Sequence, residues 1–176
     1  SLRAMQQAAL EDEAAESWLH DQGLEAAPRL ARALTVEEGW EAAVEAVLGH
    51  WLQSVVIGQA GGQAEQLAGL ETATLALVED RIGGVEARVG SLAARVTAPD
   101  AVMHWLNAVT TVESFEQAWA GRESLAEGES LITPDGEWVG RGWVRVARAL
   151  TGQDNMLARE KAISRLEGEV ETLTAE

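Results

Sequence analysis

The two ends of this chain constrain its fold most, because each reads as a helix with an apolar stripe that a lone helix cannot bury. At the C-terminus, Met156, Ile163, Leu166, Val170 and Leu173 recur at alternating spacings of three and four, once Arg159 takes a seam position. Arg, Glu and Lys fill the positions between them, which is a heptad pattern in a helix running from about Asn155 to the end. The N-terminal stripe is weaker: Leu2, Met5, Ala9 and Leu19 fit one register, and Ala8, Ala15 and Trp18 another, with Gly23 and Pro28 marking the end of the helix. An isolated helix is marginal in water, because nucleation is costly and an exposed seam gains nothing. Two such helices at opposite ends of one chain can cover each other as an antiparallel pair. The other reading is that each packs separately on the domain between them. The pair implies three parts: an N-terminal stub over 1–24, a globular domain over 25–152 and a C-terminal stub over 153–176.

The body between the stubs reads as α+β, a mixture of short helices and strands. Thr35 and Glu38 are spaced as a capping box opening a helix over Gly39–Gly49, with Trp40, Val44, Val47 and Leu48 on one face. Trp51–Ile57 reads as a buried strand ending at Gly58, and a short helix follows around Gln63–Ala68. Ala73–Val78 reads as a further strand, and Gly83-Gly84 opens a loop. Pro99 stands near the first turn of a helix carrying Val102, Met103 and Leu106. A strand over Ala108–Val112, a helix capped by Ser114, and a hairpin turning at Pro134-Asp135-Gly136 complete the domain.

The chemistry of catalysis is poorly represented. With no cysteine, the chain has no disulfide, thiolate nucleophile or Cys-type zinc site, which fits a reducing compartment. His20, His50 and His104 stand on separate helices without a second ligand at metal spacing, so no metal is expected. No serine lies in a Gly-x-Ser-x-Gly context. Glu37, Glu38, Glu41 and Glu45 fall at helical spacing and read as a solvated face. No apolar run is long enough to span a membrane. The chain begins without Met and without a leader-like segment, as expected of a piece cut from something longer.

Gly140-Arg141-Gly142 fails as a dinucleotide fingerprint, since the third glycine would fall at Arg145 inside a strand pattern. The glycines are structural: either a bulge within the chain or a place where another backbone comes close. A formal charge of −16 excludes nucleic-acid binding by the whole surface. Yet Arg141, Arg145, Arg148, Arg159, Lys161 and Arg165 are six of thirteen positive charges, all in the last third. They are either a local positive strip or ordinary ion-pair lacing. The seven Trp, beside one Phe and no Tyr, read as large core or interface anchors.

Three ordered stretches resemble the hinge domain of SMC proteins, the bacterial chromosome-condensation ATPases. They are LARALTVEEGWEAAVEAVLGHWLQSVVI over Leu30–Ile57, NAVTTVESFEQAWAG with the following ESLITPDGEWVGRGWVRV, and NMLAREKAISRLEGEVETL. The family's glycine pair after the Thr-x-Asp-Gly turn is here Gly140-Arg141-Gly142-Trp143, and its Gly-Arg/Thr-Phe-Leu-Pro strand is reduced to Glu71–Leu77. Residues Asp80–Arg95 do not align with the family.

The resemblance implies two pseudo-symmetric sheet-and-helix halves flanked by an antiparallel coiled coil whose seam holds Leu2, Met5, Ala9, Met156, Ile163, Leu166, Val170 and Leu173. It implies a homodimer that closes a ring. Its interface would hold Trp138, Val139, Gly140, Gly142, Trp143 and Val144 on one side and Val55, Val56, Ile57 and Gly58 on the other. Weak DNA contact near the coiled-coil junction would fall to Arg145, Arg148, Arg159 and Lys161. No cofactor is implied in this segment, because the family's ATP and Mg belong to head domains elsewhere. The implied setting is the cytoplasm, at the nucleoid. The rival class is a monomeric α/β module binding a small ligand, with the terminal helices packed on its surface.

Overall fold

The computed structural model describes residues 1–59, 61–148 and 156–174, the last segment by backbone alone at 156, 158, 159, 161 and 170–174. Helix α1 (Leu2–Asp21) opens on Ser1, whose Oγ accepts from the Ala4 amide, and closes where the Leu24 amide reaches the Leu19 carbonyl. The body then passes twice through one sequence of elements. The first pass is β1 (Thr35–Val36), α3 (Glu41–Leu48), β2 (Val55–Ile57), α4 (Gly61–Leu67) and β3 (Leu77–Glu79), preceded by the single-turn α2 (Leu30–Ala33). The second is β4 (Val96–Thr97), α5 (Asp100–Asn107), β5 (Val109–Thr111), α6 (Phe115–Gly121) and β6 (Ser130–Ile132). A hairpin, β7 (Trp138–Gly140) and β8 (Trp143–Arg145), extends the second half, and α7 (Met156–Thr174) ends the chain.

The pairings repeat as the elements do. β2 runs parallel to β3 and β5 parallel to β6, each pair joined through a helix. A short upstream segment bridges the far edge in each half, Arg29 against Val55 and Ser91 against Thr110. β1 and β4 meet antiparallel, Thr35 opposite Thr97 and Val36 opposite Val96, and so join the halves. This is the pseudo-symmetric α+β arrangement expected above. One cluster centred on Val44, Leu48, Leu52, Val102, Leu106 and Ile132 runs through both halves, so they form one core.

Several local readings differ from the structure. Thr35 pairs with β4 and caps no helix; α3 begins at Glu41, whose carboxylate reaches back 2.9 Å to the Gly39 amide. The pairing of two β-branched residues with Val96 and Thr97 outweighs one local cap. Only Val55–Ile57 of the expected 51–57 strand is extended, because Gly49–Gln53 winds as a 3-10 turn. The strand expected over 73–78 shortens to β3. The stretch 80–95 is held by side chains of α5: Asp100 accepts from the Gly84 amide, and Asn107 accepts from the Arg88 amide and donates to the Glu86 carbonyl.

Candidate self-association surface

The hairpin that ends the second half carries the most distinctive geometry. Ile132 pairs with Trp138, and the chain then turns through Arg141-Gly142 so that Gly140 faces Trp143. Gly142 has φ +84, the left-handed region that suits glycine at the second turn position. A Cβ on Gly140 would overlap the Trp143 indole, so this glycine lets that ring lie over the neighbouring strand β7. Trp143 also meets Trp138 edge-on, centroids 4.9 Å apart, and Trp138 donates its indole N–H to Ser130 Oγ at 2.8 Å. The close approach at Gly140 is therefore within one chain.

Among the described residues, β8 borders β7 alone and β3 borders β2 alone. Trp143, Val144 and Val146 are 42%, 48% and 46% exposed, which sets apolar side chains on and just beyond a strand whose outer edge is open. Unpaired edges are ready templates for another strand.

The structure separates the residues that the sequence grouped. Trp143, Val144 and Gly142 are exposed, Trp138 is half-buried, and Val139 and Gly140 are buried, Val139 in a cluster with Ala118, Leu125 and Leu131. Val55, Val56 and Ile57 are buried, with one edge of β2 on β3 and the other bridged by the segment around Arg29; Gly58 alone of that set reaches the surface. A continuous apolar run signals a strand covered on both faces, and that is how these three sit.

A groove of about 1140 Å³ opens beside the hairpin. Its lining includes the edge-on pair Trp138 and Trp143 and a second pair, Trp51 and Trp105, with ring centroids 4.8 Å apart. Trp51 stands four residues before the first residue of β2, and Trp105 four before the first of β5, so these are matching positions of the two halves. Nothing in the linear sequence signals that these four tryptophans converge.

The basic residues are partly engaged. Arg145 donates to the Ala46 carbonyl at 3.2 Å, and Arg148 pairs with Glu137 at 3.2 Å. The side chains of Arg159 and Lys161 lie outside the described residues, as do those of Met156, Val170 and Leu173 in the expected seam. Of the other seam residues, Leu2, Met5 and Leu166 are 73%, 71% and 60% exposed, and Ala9 and Ile163 are exposed as well. The two terminal helices are anchored instead at their roots: Leu19 packs with Val55 and Ile57, and Leu157 lies in the main core. No group of His, Asp or Glu among the described residues is placed to hold a metal, and no described helix is long and apolar enough to cross a membrane.

A doubled β-α-β body with long helices leaving at both ends is the architecture of a hinge between coiled-coil arms. The family described as SMC proteins Flexible Hinge Domain matches residues 25–120, and the chain belongs to it. It is a hinge domain and not a catalytic head. Among curated relatives it is 38% identical to a chromosome partition protein Smc of Xanthomonas oryzae pv. oryzae over 93% of this chain. It is 32% identical to that of Coxiella burnetii over 97%. These matches cover 14% and 15% of the relatives, so the chain spans about a seventh of their length. Among solved structures, an asymmetric dimer of the Geobacillus stearothermophilus SMC hinge domain superposes with TM-score 0.61 at 17% identity, over 97% of this chain and 82% of that one. The Pyrococcus furiosus Smc hinge domain with an extended coiled coil gives 0.56 at 19%, over 99% and 70%. At such identities the likeness shows the fold.

Proposed function

We propose that this chain is the homodimerisation hinge of a chromosome-condensation and segregation SMC ATPase, working in the cytoplasm at the nucleoid. The observation that carries the reading is the apolar, unpaired edge of β8. Pairing it with a strand of a second copy would supply the missing backbone hydrogen bonds and cover Trp143, Val144 and Val146. The best-placed acceptor is β3 of the partner, the outer strand of the other sheet, with Gly58 at the end of the strand beside it. A two-fold axis would then use each edge twice, once from each subunit, and close a ring. ATP and Mg would act in head domains elsewhere in such a protein.

Sedimentation equilibrium over a range of concentrations tests this. We expect a mass near twice 18.8 kDa, and a folded monomer for Trp143→Glu, because a carboxylate on the edge cannot be buried without a partner. Gly142→Glu should give the same result at some cost in turn strain. A wild-type monomer at every concentration would overturn the proposal and favour a ligand-binding module instead.

DNA contact near the α7 junction belongs to the same proposal as a weak, salt-sensitive accessory. Arg145 and Arg148 would leave the Ala46 carbonyl and Glu137 to reach phosphate, and a net charge of −16 opposes approach. Binding detectable at low salt should vanish by physiological ionic strength.

A further inference from the structure

We infer that the four-tryptophan groove beside β8 is the apolar seat of the self-association surface and takes side chains of a second copy of this chain. The inference rests on the dimer reading above. Its first ground is area. Two edges of three residues each, β8 and β3, are too short by themselves to hold a stable dimer, which needs roughly 800 Å² buried on each partner. More surface continuous with β8 must therefore be covered. Trp143 supplies the continuity, since it stands on the β8 edge and also lines the groove.

The second ground is composition. Trp51, Trp105 and Trp143 are 45%, 38% and 42% exposed. Clustered large aromatics mark the anchor region of interfaces, where burial of one ring outweighs many polar contacts. Trp51 and Trp105 also pack on one another across the meeting of the two halves, so this part of the groove lining is assembled by the fold before any partner arrives.

The third ground is charge. The lining holds Arg141 and Glu127, both exposed, and the half-buried Glu129. A lining of both signs can oppose a copy of itself in complementary pairs, despite the large net charge of the chain. The carboxylates of the same lining would repel a nucleic-acid backbone, so stacked bases are the poorer occupant.

The test uses Trp51→Ala and Trp105→Ala, two positions off the β8 edge that strand pairing alone would not involve. Sedimentation equilibrium should show each weakening the dimer at least tenfold, with the far-UV circular dichroism of the wild type retained. The chain has no Tyr, so its fluorescence reports tryptophan. Dimeric Trp143→Phe should therefore quench less with acrylamide than Trp143→Phe/Val144→Asp, whose edge carboxylate is expected to keep it monomeric; neither protein carries the edge tryptophan, so the difference reports the groove. That second measurement stands even if an alanine variant fails to fold. An unchanged dimer constant in folded Trp51→Ala and Trp105→Ala, or equal quenching in dimer and monomer, overturns the groove inference while leaving the dimer reading intact. A wild type that never dimerises overturns both.

Discussion

At the scale of single residues, Gly140 and His20 show how far local chemistry reaches. Gly140 is required by the indole of Trp143 lying over it, a contact made by a side chain three positions on and one strand across. Gly140→Ala should force that ring away and destabilise the domain by about 1–3 kcal/mol, as measured by urea denaturation followed by circular dichroism. His20 stands 2.8 Å from Glu25, and the hydrogen bond and charge of that carboxylate raise its pKa above the ordinary 6.5. A raised folded value means that the contribution is fully present below 6.5 and is lost as pH rises through the raised value. Glu25→Gln should bring the His20 midpoint down towards 6.5 in an NMR titration. With both groups exposed, the effect on stability should be negligible.

At the scale of elements, the terminal helices were legible in their stripes, and the contacts that anchor them came from the tertiary structure. The heptad stripe of α7 and the weaker stripe of α1 point to helices, and helices form. α1 is held by Leu19, the last residue of its stripe, whereas α7 is held by Leu157, which lies outside its stripe. Leu157 is 4% exposed in the main core, whereas Ile163 and Leu166 face outward. Arg32 reaches both carboxylate oxygens of Glu167 at 2.6 Å, and Arg29 on the same short segment reaches Glu16 of α1 at 3.1 Å. These ion pairs are exposed and screened by water, so each contributes little, whereas truncating a buried leucine costs about 2–5 kcal/mol. Leu157→Ala should therefore lower the urea midpoint far more than Arg32→Ala. Arg32→Ala should show itself mainly as faster amide exchange along α7. The same contrast explains the Thr35 error: a capping signal is worth about 1 kcal/mol and yields to a strand pairing made with residues sixty positions away.

At the scale of the whole molecule, the two passes of β-α-β-α-β leave unequal edges. In the second half β6 is covered by β7, and β8 becomes the border; in the first half β3 is itself the border. A dimer that joins these borders predicts that the unfolding midpoint of the wild type rises with protein concentration, since association stabilises only the folded state. The midpoint of Trp143→Glu should not move with concentration. Urea titrations at several concentrations, tens of micromolar apart, check both expectations.

The sequence by itself determined the helical ends, the α+β alternation and the Pro-Asp-Gly hairpin, because each depends on residues within a turn or two of one another. Recognition of the hinge family also lies in the sequence, in motifs spread along its length. Only the tertiary structure decided which apolar residues are interior and which are edge. Val55–Ile57 and Trp143-Val144 are both short apolar runs, and local pattern cannot tell a strand with neighbours on both sides from one with a neighbour on one. The tryptophan groove lies further still from the linear pattern, since its four rings come from four separate elements and meet only when two halves of one chain pack around a common core.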